Sequence, residues 1–260
     1  PLLLGNLLQQ MYNTADSVIV GIYVGDNALA AVGSASPILN LLLALFVGIA
    51  TGAGILVAQY FGARDRERLS GVIGNCMTLT LVASAIIMVI GPLVTRPLLE
   101  LLNTPASILD WCTDYLNIFF LGIVGFAAYN ILSGVLRGLG DSLSALVFLI
   151  VATVLNIGLD LLFVVVIPLG VGGAALATII SQFVSVFLCM GRLMNPVSGE
   201  CQVKWREVRF DPEMTRMILS YGLPSGLQNS VIALANVVVQ SNINSSVSYT
   251  HLTLPTILRV

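Results

Sequence analysis

The chain has 260 residues, of which 57% are hydrophobic and only 9% charged, with a formal net charge of −2 and a mean hydropathy of +0.97. Soluble domains carry about 25% charged residues, so a water-soluble globular protein is excluded, and the lack of a basic patch argues against a nucleic-acid partner. Apolar runs of about 20 residues recur, which is the signature of an integral membrane protein spanned by helices rather than by a β-barrel.

Six complete or nearly complete spans and most of a seventh can be read in order. The first covers 1–24 and carries a polar strip at helical spacing, Gln9, Tyr12, Asn13 and Asp16. The second, 28–60, has Pro37 near its start, and Gly48, Gly52 and Gly54 mark close helix packing. The run from Gly62 to Arg68 reads as a solvated turn. The third span is 69–94. The fourth, 111–136, opens on the interfacial anchor Trp111 between Asp110 and Asp114, and holds Asn130 at depth. Its aromatics Phe119, Phe120, Phe126 and Tyr129 suit a cavity wall, although packing or lipid-facing roles are commoner for such residues.

The fifth span, 143–167, places Thr153, Asn156 and Asp160 on one face. The sixth, 173–194, carries Thr178 and Gln182 four residues apart. The seventh starts near 214 and runs to about 246. From Val247 onward the sequence VSYTHLTLPT back-translates into a transposon adapter, so 247–260 is expected to be a non-native tail. The only histidine, His251, goes with it. The chain has no initiator methionine, and Pro1 already lies within an apolar run.

The loops set an expected orientation. Arg64, Arg66, Arg68, Arg137, Arg192, Lys204, Arg206, Arg209 and Arg216 fall on one side, and only Arg96 on the other. Positive residues stay inside, so the N-terminus and the loops after even-numbered spans are expected in the cytoplasm. Placing Pro224 on Pro1 brings Asn229 onto Asn6 and Asn236 onto Asn13. Repeats separated by six spans share one orientation. The expected fold is therefore all-α and membrane-integral: a six-helix lobe (1–194), a cytoplasmic inter-lobe link (195–213) and the first helix of a second lobe (214–246).

Asp16 and Asp160 carry the chemistry. An ionised Asp in hydrocarbon costs roughly 2.5–3.5 kcal/mol on insertion scales, and no Lys or Arg stands at their depth. Each must hold a proton, bind a cation or face water, and each option points to ion-coupled transport. The oxygens of Asp160, Asn156, Asn130 and Thr178 suit a small hard cation such as Na⁺. They suit a proton equally, since burial favours the neutral acid. Thr153 and Gln182 alone read as helix-to-helix hydrogen bonders. Cys76, Cys112, Cys189 and Cys201 show neither metal-site nor disulfide spacing. With no nucleophile–base pair either, neither an enzyme nor a resident cofactor is expected.

Several segments, in this order and spacing, resemble the multidrug and toxin extrusion (MATE) family over nearly all of 1–246. They are Gln9-Gln-Met-Tyr-Asn-Thr-Ala-Asp-Ser-Val-Ile-Val-Gly21, Ala28-Leu-Ala-Ala-Val-Gly33, Gly54 to Arg64, Leu136-Arg-Gly-Leu-Gly-Asp141, Leu155-Asn-Ile-Gly-Leu-Asp160, Gly172-Gly-Ala-Ala-Leu-Ala-Thr178 and Pro224-Ser-Gly-Leu-Gln228. The likeness points to the bacterial multidrug-efflux or damage-inducible branch.

The resemblance implies half of a twelve-helix, two-lobed antiporter in a bacterial-type inner membrane. Such a protein exports small organic compounds, cations above all, in exchange for Na⁺ or H⁺. It implies a coupling site at Asp16, Asn156, Asp160 and Thr178, with Asn130 close by. Gln9, Tyr12, Asn13, Thr153, Gln182 and Tyr129 are the expected cavity lining, and the absent C-terminal lobe is the expected partner. A lipid-linked oligosaccharide flippase of the same broader superfamily would carry more cationic residues in the cavity. A channel would need a filter, and a non-transporting membrane protein would leave the buried acids unexplained.

Overall fold

The computed structural model describes residues 2–195 and 210–257. The expected linker residues Cys201, Lys204, Arg206 and Arg209 lie outside them. The chain is built from long helices joined by short turns: α1 (Leu2–Tyr23), α2 (Asp26–Gly62), α3 (Arg66–Leu101), α4 (Ala106–Leu121), α5 (Ile123–Gly138), α6 (Ser142–Asp160), α7 (Gly170–Met194) and α8 (Pro212–Ile257). Among the described residues five helical segments are long and apolar enough to cross a membrane, or six if α4 and α5 form one bent span. The 22-residue α1, which carries the polar strip, is not among them. The α8 backbone is helical through the position expected to begin the tail.

Aspartates start three of these helices. Asp65 accepts from the Arg68 amide, Asp141 from the Ser144 amide and Asp211 from the Glu213 amide. Each satisfies an N–H that the first turn leaves without a partner. Pro212 follows its cap at the first helical position, where its missing N–H costs nothing.

Small residues decide how closely the helices approach. A Cβ on Gly52 would lie 2.5 Å from the Ile218 carbonyl oxygen and 2.6 Å from the Gly222 nitrogen, and one on Gly48 would collide with Gly226. Only glycine lets α2 and α8 cross backbone to backbone. Gly134 and Gly138 of α5 do the same against Ala50 and Gly54 of α2. In a bilayer this close packing replaces the hydrophobic drive that assembles soluble helices.

The fourth expected span is not one straight helix. It bends by 54° between α4 and α5. At Gly122 and Gly125 the space a side chain would take is filled by Ile179 and Phe183 of α7. Two apolar layers form the interior, one around Phe46, Leu116, Phe120 and Ile123, the other around Leu56, Ile73, Leu132 and Leu136. Outside, α3 exposes Leu81, Val82, Ile86, Val89, Ile90 and Leu93, an apolar face suited to lipid.

Candidate coupling site and central cavity

The polar strip of α1 divides onto two faces. Tyr12 and Asp16, four residues apart, turn inward and are 5% and 7% exposed. Gln9 and Asn13, also four apart, line a cavity instead. The sequence had treated them as one strip.

The inward pair meets α6 and α7. Asp160, the last residue of α6, and Asn156 one turn before it are fully buried. The Asn156 amide donates to the Thr178 hydroxyl at 3.4 Å. Tyr12 lies beside Thr178 and Ser181, and the Ser181 hydroxyl donates to the Thr178 carbonyl at 2.8 Å. Asp16 and Asp160 are within electrostatic reach of each other, of Tyr12 and of Tyr115. Helices α1, α4, α6 and α7 thus converge on one acidic pocket.

Local backbone helps to place it. Immediately after Asp160 the chain widens into a π-helical turn, Leu161–Val166. Such turns recur at functional sites because they re-aim side chains and shift the carbonyl ladder. Gly173 lets the start of α7 lie on this turn, where a Cβ would be 2.9 Å from the Phe163 carbonyl oxygen.

The pocket is short of hydrogen bonds. Both carboxylate oxygens of Asp160, one of Asp16 and the side-chain oxygen of Asn156 are buried without a hydrogen-bond partner among the described residues. An orphaned buried acceptor costs about 1–3 kcal/mol, and more if charged. Two carboxylates facing amide and hydroxyl oxygens form a hard donor set, which a proton or a hard monovalent cation would satisfy. Among the described residues no cluster of three or more His, Cys, Asp or Glu stands together.

No hydrogen bond among the described residues joins the other expected site residues to Asp16 or Asp160. Asn130 donates to the Phe126 carbonyl at 2.8 Å and lines the cavity with Tyr129. The interactions that tie the acidic pocket together do not extend to it among the described residues. Thr153 is buried and donates to the Leu149 carbonyl of its own helix at 2.8 Å. Gln182 is buried one turn beyond Thr178. Sequence reasoning missed Tyr115 and Ser181. The spacing of Ser181, three residues after Thr178, was a usable signal, but nothing in the α4 sequence singles out Tyr115.

The cavity has a volume of ≈ 570 Å³ and is bounded by α1, α2, α5, α6 and α8. Its polar lining is mostly amide: Gln9, Asn13, Asn40, Asn130, Asn229 and Asn236. Phe126 and Tyr129 give it an aromatic wall, and Arg137 stands at the edge where α5 ends.

The described residues form a bent helical bundle with buried acids and an amide-lined cavity. The MatE family profile matches residues 1–162, and the chain belongs to that family. It is 32% identical over 251 residues to the probable multidrug resistance protein YoeA of Bacillus subtilis (strain 168), covering 94% of this chain and 54% of that protein. It is 33% identical over 249 residues to the probable multidrug resistance protein YpnP of the same strain, with the same coverage of 94% and 54%. The chain spans about half the length of the curated relatives it matches. Among solved structures, it resembles an inward-facing multidrug resistance MATE family transporter of the MOP superfamily. The TM-score is 0.83 at 25% identity, covering 96% of this chain and 59% of that one. These relatives are transporters, not enzymes, and the long apolar helices make this chain a multi-pass membrane protein.

Proposed function

We propose that this chain is the N-terminal lobe, with the first helix of the second lobe, of an antiporter that exports drugs or toxic organic compounds. Na⁺ or H⁺ is the coupling ion, held in the pocket of Asp16, Asn156, Asp160 and Thr178. The supporting observation is the pair of buried acids, of which both Asp160 oxygens and one Asp16 oxygen lack a hydrogen-bond partner, with no cationic side chain beside them among the described residues. Loading an ion there offsets the cost of burying charge and tightens α1 against α6 and α7. A state with that packing is favoured by as much as the ion binds it better. Arg64, Arg66, Arg68, Arg137 and Arg192 then mark the cytoplasmic side, and Arg137 is also part of the cavity lining.

The test is efflux from proteoliposomes carrying the full-length transporter, under Na⁺ and H⁺ gradients imposed separately. The proposal expects efflux under one gradient and its loss in Asp160→Asn. Gradient-driven efflux unchanged in that variant would contradict it.

A further inference from the structure

Among the described residues the cavity wall holds no carboxylate. Its one charged residue is Arg137, on the last turn of α5 and exposed. The nearest acid in sequence, Asp141, is taken: its carboxylate lies 2.7 Å from the Arg192 guanidinium. Arg137 makes no ion pair among the described residues. It stands within electrostatic reach of Tyr129 and Cys189, neither of which is anionic at neutral pH. The buried acids of the lobe, Asp16 and Asp160, are not part of the cavity wall.

The rest of the lining is neutral and available. The amides of Gln9, Asn40, Asn229 and Asn236 make no hydrogen bond among the described residues, so they are free to meet a ligand. An amide offers N–H to an anion and C=O to a cation alike, so it does not choose a sign. The guanidinium does, because it donates a planar fork that matches carboxylate, sulfonate or phosphate oxygens. Two to three turns back along α5, Tyr129 and Phe126 supply an apolar wall.

From this we infer that the lobe's half of the cleft is a binding site for an amphipathic anion. Its acidic group pairs with Arg137, and its apolar body lies along Phe126 and Tyr129 among the amides. The inference rests on reading the chain as a transporter lobe, but not on ion coupling, and it departs from the organic cation that the family resemblance suggests. The same chemistry has two sources: a soluble compound awaiting export, or the headgroup of an anionic lipid entering from the bilayer.

Two probes sharing one fluorophore separate the signs: dansylglycine, a carboxylate, and dansylcadaverine, an ammonium. Their anisotropy is titrated with the full-length transporter in phosphatidylcholine nanodiscs. No gradient is present, so the result is independent of whether ion coupling holds. Dansylglycine is expected to bind more tightly than dansylcadaverine. Arg137→Gln should weaken dansylglycine about tenfold while leaving dansylcadaverine unchanged, as loss of a hydrogen bond to a charged group implies. Arg137→Lys should recover part of the loss.

Repeating the titration with phosphatidylglycerol in the disc identifies the source. Competition in wild type that disappears in Arg137→Gln assigns the site to a lipid headgroup, and its absence assigns it to a soluble anion. Tighter binding of dansylcadaverine, binding of neither probe to folded protein, or equal weakening of both probes by Arg137→Gln would overturn the inference.

Discussion

The Asp160 carboxylate, buried at the last turn of α6, lies within electrostatic reach of Asp16 on α1, and neither has a cationic side chain beside it among the described residues. Asn156, one turn before Asp160, reaches the Thr178 hydroxyl on α7, so three helices share one set of oxygens. Thr178→Val would remove one of those oxygens and leave the Asn156 amide without its acceptor. We expect roughly tenfold weaker apparent affinity for the coupling ion, from the cost of a lost hydrogen bond near charge. Thr178→Ser should behave like wild type in the same ion-dependence curve. Equal loss in both variants would point to packing instead.

The crossing of α2 and α8 gives a stability prediction. Gly52→Ala places a methyl within 2.8 Å of three α8 backbone atoms, so the helices must separate. The expected cost is about 1–3 kcal/mol, the range for overpacking a core. Gly33→Ala on the same helix meets nothing within 4 Å and should be neutral or stabilising. Thermal unfolding in detergent compares the two. A Gly52→Ala protein as stable as wild type would mean that the crossing is looser than described.

Asn75 of α3 fastens the start of α8. It is fully buried, donates to the Thr215 hydroxyl at 2.8 Å, and accepts from the Asp211 amide at 2.9 Å. Asn75→Ala would leave both groups without that partner, at about 1–3 kcal/mol for a buried group. Hydrogen exchange of the first α8 amides should rise by about one to two orders of magnitude. Asn195→Ala, whose exposed side chain bonds the Gly191 carbonyl and no other group among the described residues, should leave that exchange unchanged.

Asp141 supplies a pH-dependent term at the turn before α6. Burial alone would push its pKa up. The Ser144 amide and hydroxyl and the Arg192 guanidinium outweigh that and hold it below the usual carboxylate range. A group lowered in the folded state adds stability above its unfolded pKa, near 3.9, and loses it as pH falls through the folded value. Asp141→Asn should therefore be less stable than wild type at neutral pH. The gap should narrow as pH drops below about 4. A gap independent of pH would show that the ion pair and the carboxylate cap contribute nothing.

Much of this was legible in the sequence because bilayers impose simple rules. Six of the seven expected span positions followed from apolar length, and the glycines at 48, 52 and 54 foretold the close crossings. Asp160, Asn156 and Thr178 stood out because polar groups are scarce at that depth. The 54° bend did not, since Gly122 lies inside an unbroken apolar run and nothing in it marks the place where Ile179 of α7 packs against the glycine. The division of α1 was hidden for a related reason. Helical spacing groups Gln9, Tyr12, Asn13 and Asp16, and only the neighbours of α1 decide which of them face the acids and which face the cavity.

The most direct test of the acidic pocket is ion binding to the purified full-length transporter in wild type, Asp16→Asn and Asp160→Asn. Radioactive sodium binding and substrate-induced proton release are measured side by side on folded protein. The account expects wild type to show one of these two signals, with that signal abolished in Asp160→Asn and weakened or abolished in Asp16→Asn. Sodium binding or proton release at wild-type level in both variants would place the coupling ion elsewhere and contradict the account.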